Sequence, residues 1–505
     1  METEIELKFF VAPDFSEKLQ RKLAEIKILQ SSRRELGNIY FDTQDNWLRQ
    51  HDIGLRIRRF DEVYVQTVKT AGRVVAGLHQ RPEYNAEHSS NEPDLSLHPQ
   101  DIWPDNKTVE LLQKEIAPIF STNFTREQWL VGMVDGSQIE VAFDQGVVVA
   151  GEHESPICEV ELELKSGQAD SLFTLARSLV DEGGMRLGNL SKAARGYRLA
   201  HGYEGDEVKT LALVNTKLED SVETCFINSI EHALSHWHYH EQIYFEHPSH
   251  QALSEISNAI SFIRQILSVY GEIVPRRASA ILRQELKWLD EELSWLKVAD
   301  YVEGLCDDKG HVLRKLDAQK LLLSKLKQRE EQFPNQDEMT ALFTSSRYTG
   351  LLLDLSRWLM ARGWHPFLDE KAKEKMSEKI KLFSQHQLDR IWTELIESFP
   401  PNKPLTRDEY IGERYKLMRS LYSGICFASI YNIEQRNNFR MPWNDLLHGI
   451  DDLLMLQPLQ SLLNELEQAD KNQLERWIDR QESSILHAME QTRAMGIEVQ
   501  PYWRN

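Results

Sequence analysis

The sequence predicts an α+β protein in two parts, an antiparallel β region followed by an all-α region. Two observations carry that reading. From residue 1 to about 200, short segments alternate apolar and polar residues between clusters of Gly, Asp and Asn, the period of strands with one buried face. Beyond about residue 220 the apolar spacing becomes 3.6, as in ALSEISNAISFIRQILSVYG and WNDLLHGIDDLLMLQPLQSLLNELEQ, which is the spacing of amphipathic helices. At 505 residues the chain exceeds what one core organises. The Gly-rich and acidic stretch GYEGDEVKTLALVNTKLED sits where the texture changes. The expected organisation is therefore a strand domain over 1–202, a linker over 203–220 and a helical domain over 221–505.

METEIELKFF opens the β region. In an extended strand Ile5, Leu7 and Phe9 share one face, and Glu4, Glu6 and Lys8 share the other. One such strand is ordinary for a half-exposed sheet. The later segments repeat it. Between minor helical patterns at 13–29 and 171–182, IGLRIRRF sets Arg56 and Arg58 opposite Leu55 and Ile57, and VYVQTVKTAG sets Thr67 beside Lys69. LHQRPEYNAE sets Arg81 beside Glu83, FTREQWLV carries Arg126, QIEVAFDQG puts Asp144 opposite Val141 and Phe143, and CEVELELKSG aligns Glu159, Glu161 and Glu163.

The cations fall on the middle segments and the carboxylates on the first and last. A sandwich gives no reason for that segregation, because its charged faces look at water. A closed barrel with its apolar side turned outward under helices would bring the charges onto a lumen. A lumen lined by both signs is self-defeating unless a ligand and cations separate them. An oligophosphate with a divalent ion would do so: Lys and Arg meet phosphoryl oxygens, and carboxylates hold Mg²⁺ or Mn²⁺ through hard oxygen ligands.

In the helical region RASAILRQELKWLDEELSWLK and LDAQKLLLSKLKQREEQF continue the amphipathic pattern, and a weak similarity between 226–330 and 337–500 suggests an internal duplication. His232, His236 and His240 are spaced i, i+4, i+8, a spacing that zinc sites use and that mixed helix surfaces show more often.

Composition excludes several classes. The net charge is −20, with 25 Lys and Arg against 37 Asp and Glu over residues 1–220, and 34 against 42 thereafter. Such a balance argues against binding nucleic acid or an anionic membrane surface. Cys158, Cys225, Cys306 and Cys426 form no CxxC pair, which fits free thiols in a reducing compartment. The chain opens on strand pattern rather than a signal sequence, and no apolar run approaches the ~20 residues that cross a bilayer, so a cytoplasmic location is expected. GxxxxGK[ST], GxGxxG and local Ser/His/Asp motifs are missing, which disfavours P-loop and nucleophilic mechanisms.

The ExExK of Glu4, Glu6 and Lys8, the stretch NIYFDTQDNWLRQHDIGLRIR, the Lys69 of TVKTAG, the RPE of Arg81 and Glu83, the paired CEVE and SKAARGY at 191–197 together resemble a CYTH domain of the triphosphate tunnel metalloenzyme superfamily. The helical remainder resembles a CHAD domain, and the pairing resembles the CYTH–CHAD inorganic triphosphatases. That resemblance implies an N-terminal eight-stranded antiparallel β-barrel tunnel with flanking helices, followed by an all-α helical bundle. It implies metal-dependent hydrolysis of tripolyphosphate to pyrophosphate and phosphate, with Mg²⁺ or Mn²⁺ as cofactor. Carried over by position, Glu4, Glu6, Glu159 and Glu161 would bind the metal. Lys8, Arg56, Arg58, Lys69, Arg81, Arg126 and Lys192 would hold the phosphates, with Glu4, Glu6, Lys8 and Lys69 closest to the chemistry and Glu83, Asp144 and Glu163 supporting. In the helical domain His240, Arg264, Arg276, Arg277, Arg283, Lys416 and Arg419 would be the candidates for polyphosphate, although that half is itself acidic.

Two alternatives stay open on the sequence. The tunnel could capture polyphosphate or a nucleotide without turnover, or it could act on thiamine triphosphate, RNA 5′-triphosphate ends or ATP.

Overall fold

The computed structural model describes residues 2–60, 63–75, 77–104 and 108–504. Ten strands form its sheet: β1 (Glu2–Val11), β2 (Ile28–Asp42), β3 (Gly54–Phe60), β4 (Val63–Lys69), β5 (Arg73–Val75), β6 (Leu78–His88), β7 (Ala117–Gly132), β8 (Gln138–Ala150), β9 (His153–Ser166) and β10 (Met185–Leu187). Eight of them close in the order β1-β9-β8-β7-β2-β3-β4-β6, with β6 returning to β1, while β5 and β10 are short additions. Every pairing is antiparallel. Among the described residues, closure leaves no long sheet edge exposed.

The barrel is inside out relative to a packed β core. Leu7, Phe9, Leu55, Ile57, Val68, Val141 and Leu162 are buried on the outer side, while their strand neighbours Lys8, Arg56, Arg58 and Glu161 face the lumen. Two sets of helices cover that apolar exterior. Helices α1 (Phe15–Leu23) and α4 (Ala169–Val180) lie near each other, and α4 also packs on β1 and β9. On the other side α2 (Trp47–Gln50), α3 (Val109–Glu115) and the segment carrying Leu95 and Trp103 enclose Phe41, Leu55, Ile57 and Val68. Burying a side chain of this kind contributes about 1.5–3 kcal/mol.

One end of the barrel is plugged by α5 (Lys192–Ala200). Ser191 caps it, its Oγ accepting from the Ala194 amide at 3.1 Å. Tyr197 packs with Tyr40, Phe120, Phe124 and Ile157, and its hydroxyl donates to Asp42 at 2.7 Å. Asp42 also accepts from the amides of Thr43, Leu48 and Arg49, which ties α5 to the β2–α2 corner.

β2 is a strand that the alternating pattern does not reveal. Most of its first eight residues are exposed, so no buried face marks the sequence there; buried positions begin only at Leu36.

The helices after the barrel are α6 (Val222–Glu246), α7 (His250–Val269), α8 (Ala280–Glu292), α9 (Trp295–Gly310), α10 (Gln319–Glu330), α11 (Gln336–Phe343), α12 (Ser346–Met360), α13 (Glu370–Ser377), α14 (Ile380–Ser398), α15 (Arg407–Cys426), α16 (Ile433–Met455), α17 (Gln457–Leu462) and α18 (Gln468–Glu498). The chain divides into two compact units, residues 1–205 with 337–362, and residues 206–336 with 363–505. The excursion 337–362 was not visible in the sequence, which assigns that stretch to the helical half. Its α12 packs on α4 and β10: Arg357 makes a two-pronged ion pair with Asp170 at 2.6 Å, and Thr349 Oγ1 donates to the Met185 carbonyl at 2.6 Å.

Within the helical unit, the segment from 206 is fastened to α6 by side chains. His232 pairs with the Ala212 carbonyl at 2.8 Å, Tyr239 donates to the Glu207 carbonyl at 2.9 Å, and His240 Nε2 accepts from the Lys209 amide at 3.1 Å. With His240 Nδ1 on the His236 carbonyl and His236 on Glu255 at 2.7 Å, the histidine row of α6 serves as fasteners, and both nitrogens of His240 are taken.

Candidate active site

Strand parity delivers a charged lumen. A cavity of about 610 Å³ is lined by Glu4, Glu6 and Lys8 from β1, Arg56 and Arg58 from β3, Lys69 from β4, Arg81 and Glu83 from β6, Arg126 from β7, Glu161 and Glu163 from β9, and Lys192 from α5. Twelve of the residues singled out in the sequence thus come together on one surface. The sequence reading missed His79, Tyr40, Arg34 and Glu140, which line it too. His79 is in phase with Arg81 and Glu83 and was findable; Tyr40 lies on the unrecognised strand.

Two predicted residues are placed differently. Asp144 and Glu159 do not line the cavity; both are fully buried at the plugged end. The Asp144, Glu159 and Glu161 carboxylates lie within 4.8 Å of one another, but four cations already occupy the space between them. Lys8 Nζ sits 2.5 Å from Glu161 and 3.3 Å from Glu159. Lys192 Nζ contacts Asp144 at 2.6 Å, Glu161 at 3.0 Å and also Glu159. Arg126 forks onto Asp144 at 2.7 and 2.6 Å and reaches Glu161 at 2.6 Å, and Arg195 pairs with Glu159. This network closes the inner end of the lumen. On the last strand it is Glu161 and Glu163 that line the cavity, rather than the expected Glu159 and Glu161.

Register sets the acidic wall. Glu6 pairs with Glu163 on β9 and with His79 on β6, while Lys8 pairs with Glu161. Burial raises the Glu6 carboxyl to about 7, reinforced by Glu161 and Glu4 against Lys8 and Lys69. Glu161 behaves oppositely: burial opposes its ionisation, but Lys192, Lys8 and Arg126 outweigh burial and hold it well below the carboxylate range. Between the two walls Lys69 bridges Glu4 and Glu83, the latter at 3.1 Å. Despite burial, Lys69 and Arg56 lower the Glu83 carboxyl to about 2.

The basic wall is less well matched. Arg58 Nε donates to Asn38 at 2.8 Å, and Asn38 in turn donates to Thr122 at 3.0 Å, so the guanidinium is held by a neutral partner. Burial, followed by Arg56 and Arg126, shifts Arg58 below its ordinary range. Arg56 stands 4.0 Å from Glu83, and its Nε is buried without a hydrogen-bond partner among the described residues. The arrangement therefore has two unfinished halves. Around Glu6 negative charge is in excess, and around Arg58 positive charge is in excess. A cation would relieve the first and an anion the second.

Two family models match the chain, the CYTH domain over residues 2–197 and the CHAD domain over residues 228–454. The chain carries a CYTH domain followed by a CHAD domain. An inorganic triphosphatase of Haemophilus influenzae is 43% identical over 196 residues, which cover 39% of this chain and 54% of that protein. The CYTH–CHAD chain thus matches about half the length of this curated relative. Among solved structures, an adenylyl-cyclase-like protein of Hippeastrum, described as having a dominant triphosphatase activity, is 20% identical, covering 38% of this chain and 95% of that one at a TM-score of 0.30. The CHAD domain of Ricinus communis is 17% identical, covering 59% and 98% at a TM-score of 0.43.

Proposed function

We propose that the CYTH barrel hydrolyses inorganic triphosphate to pyrophosphate and phosphate with the help of a divalent cation, Mg²⁺ or Mn²⁺. The observation that carries this reading is the pair of unfinished walls: a carboxyl at Glu6 pushed up to about 7, and guanidinium groups at Arg56 and Arg58 with donor capacity to spare. The likeness to the Haemophilus triphosphatase supports the same substrate.

The donor set fits a hard divalent ion, since Glu4, Glu6, Glu161 and Glu163 offer carboxylate oxygens along one wall. When bound there, such an ion would neutralise phosphoryl oxygens and lower the pKa of water. The chain's own residues do the positioning. Arg56, Arg58, Arg81 and Arg126 offer forked donors for phosphoryl oxygens, and Lys69 and Lys192 add point charges. Lys8, held charged by Glu159 and Glu161, keeps its ammonium at the head of the acidic wall. Phosphoryl transfer asks for positioning and charge neutralisation rather than a covalent nucleophile. In the balanced reaction water adds to a terminal phosphorus, the bridging P–O bond breaks, pyrophosphate leaves and one proton is released to solvent near neutral pH.

The test is phosphate release from tripolyphosphate, ATP, thiamine triphosphate and RNA 5′-triphosphate at fixed Mg²⁺ or Mn²⁺. Tripolyphosphate should be turned over fastest, and a chelator should abolish release. Tight binding without release would instead make the barrel a capture protein.

For the CHAD domain the proposal is narrower. Arg276 and Arg277 are exposed, and Arg276 and Arg419 add to burial in lowering the Arg283 guanidinium, so positive charge converges there. That cluster would be the point of contact for a polyphosphate chain, which Arg276→Ala with Arg277→Ala should weaken. Arg264 and Lys416 are already engaged by Asp290 and Glu413. Four free thiols support a cytoplasmic setting, and no helix among the described residues is long and apolar enough to cross a membrane.

A further inference from the structure

The lumen cations differ in what stands directly opposite them. Lys8 on β1 faces Glu161 on β9, Arg81 on β6 faces Glu4 on β1, Lys69 on β4 faces Glu83 on β6, and Arg126 on β7 faces Asp144 on β8. Directly opposed side chains of an antiparallel pair are within contact reach, so each of these charges has a carboxylate as cross-strand neighbour. The two arginines of β3 have none. Arg56 faces Tyr40 and Thr67, and Arg58 faces Asn38 and Val65. Arg56 still has Glu83 at 4.0 Å, whereas Arg58 forms no ion pair among the described residues.

Asn38 is held at both ends. It is 1% exposed, its Oδ1 accepts from Arg58 Nε at 2.8 Å, and its Nδ2 donates to Thr122 Oγ1 at 3.0 Å. Thr122 is its partner in register on β7, so Arg58, Asn38 and Thr122 stand abreast on three neighbouring strands. The Nε bond fixes the plane of a guanidinium whose terminal nitrogens bond to nothing among the described residues, on the cavity that Arg58 lines. A carboxylate in the place of Asn38 would hold the same nitrogen but would offset the charge before any anion arrived. A neutral acceptor orients the fork and leaves its charge whole.

We propose that Asn38 is a positioning residue: it aims Arg58 at the phosphate chain, and its lack of charge keeps that guanidinium available to a polyanion. The identity of the anion rests on the triphosphatase reading of the barrel. Asp is the discriminating replacement, because it keeps the shape of Asn and the acceptor for Arg58 Nε, while the Thr122 hydroxyl can turn and donate to it. What it adds is a counter-charge.

The experiment is calorimetric titration of the full chain with tripolyphosphate in chelator, together with kcat and KM in Mn²⁺, for wild type, Asn38→Asp and Asn38→Ala. Per folded molecule, Asn38→Asp should weaken tripolyphosphate binding at least about tenfold and more than Asn38→Ala does, and should raise KM with kcat within about threefold. An amide with a merely structural role predicts the reverse order, with the isosteric Asp the milder change. A smaller loss in Asn38→Asp, an equal or larger loss in Asn38→Ala, or a loss that falls on kcat rather than KM overturns the proposal. If Asn38→Asp does not fold, Thr122→Val decides by the same titration, because it frees the Asn38 amide: a loss of about threefold or more is expected, and a smaller one overturns the proposal. Wild type separates the two claims. Binding of tripolyphosphate without hydrolysis removes the triphosphatase reading and leaves Asn38 to be judged by the titration, whereas no binding removes both.

Discussion

Lys8 on β1 and Glu161 on β9 face each other in register, and their 2.5 Å ion pair divides the barrel interior in two. On one side of it lies the buried network of Asp144, Glu159 and Arg195, from which Arg126 and Lys192 reach into the cavity; on the other lies the open lumen with Glu4, Glu6 and Glu163. Residues that share strand parity therefore divide into structural and ligand-facing sets.

Glu159 and Glu163 should respond in opposite ways. Glu159→Gln leaves Lys8, Lys192 and Arg195 short of a buried counter-charge, and breaking such a pair costs about 3–5 kcal/mol. Thermal or urea denaturation should record that loss with little change in Mn²⁺ affinity per folded molecule. Glu163→Gln should leave stability near wild type, because its partner Lys165 is partly exposed, and should weaken Mn²⁺ binding in titration calorimetry.

Arg56 should act on binding. Its Nε has no acceptor among the described residues and Glu83 is 4.0 Å away, so Arg56→Ala removes a donor open to an incoming anion together with the contact to Tyr40. A charge-assisted hydrogen bond contributes about 1.5–3 kcal/mol, so KM for tripolyphosphate should rise roughly tenfold to a hundredfold with a smaller change in kcat.

The pH dependence follows from Glu6. Its folded value of about 7 lies above the ordinary 4.5, raised by burial first and by Glu161 second. The metal-free protein thus holds a proton that the unfolded chain releases, and Glu6's contribution to stability is fully present below about pH 4.5 and is lost as pH rises through about 7. Urea midpoints of the apoprotein should decline over that window, and Glu6→Gln should flatten the decline. Mn²⁺ binding should release about one proton near pH 6, measured as a dependence of the calorimetric heat on buffer ionisation enthalpy.

Much of this architecture was legible because strand parity is strict. The alternation in β1, β3 and β9 identified which side chains share a face, and the sorting of signs by strand pointed to a closed lumen. β2 escaped because the exposed start ILQSSRRE shows no buried face, and Tyr40 and Asn38 were lost with it. Glu159 has the same parity as Glu161 and Glu163, so nothing along β9 reveals that α5 brings Lys192 and Arg195 onto it. The docking of 346–360 on α4 is equally silent in sequence, since an amphipathic stripe states that a face is buried and not against what.

The most direct measurement is steady-state phosphate release from tripolyphosphate with Mg²⁺ or Mn²⁺, comparing wild type with Glu4→Gln and Glu6→Gln at matched folded concentration. Release by wild type that disappears in chelator, and falls at least about a hundredfold in both variants, is the predicted result. Turnover at the wild-type rate in either variant, or wild-type turnover indifferent to chelator, would contradict a lumen that works by holding a cation on one wall and a phosphate chain on the other.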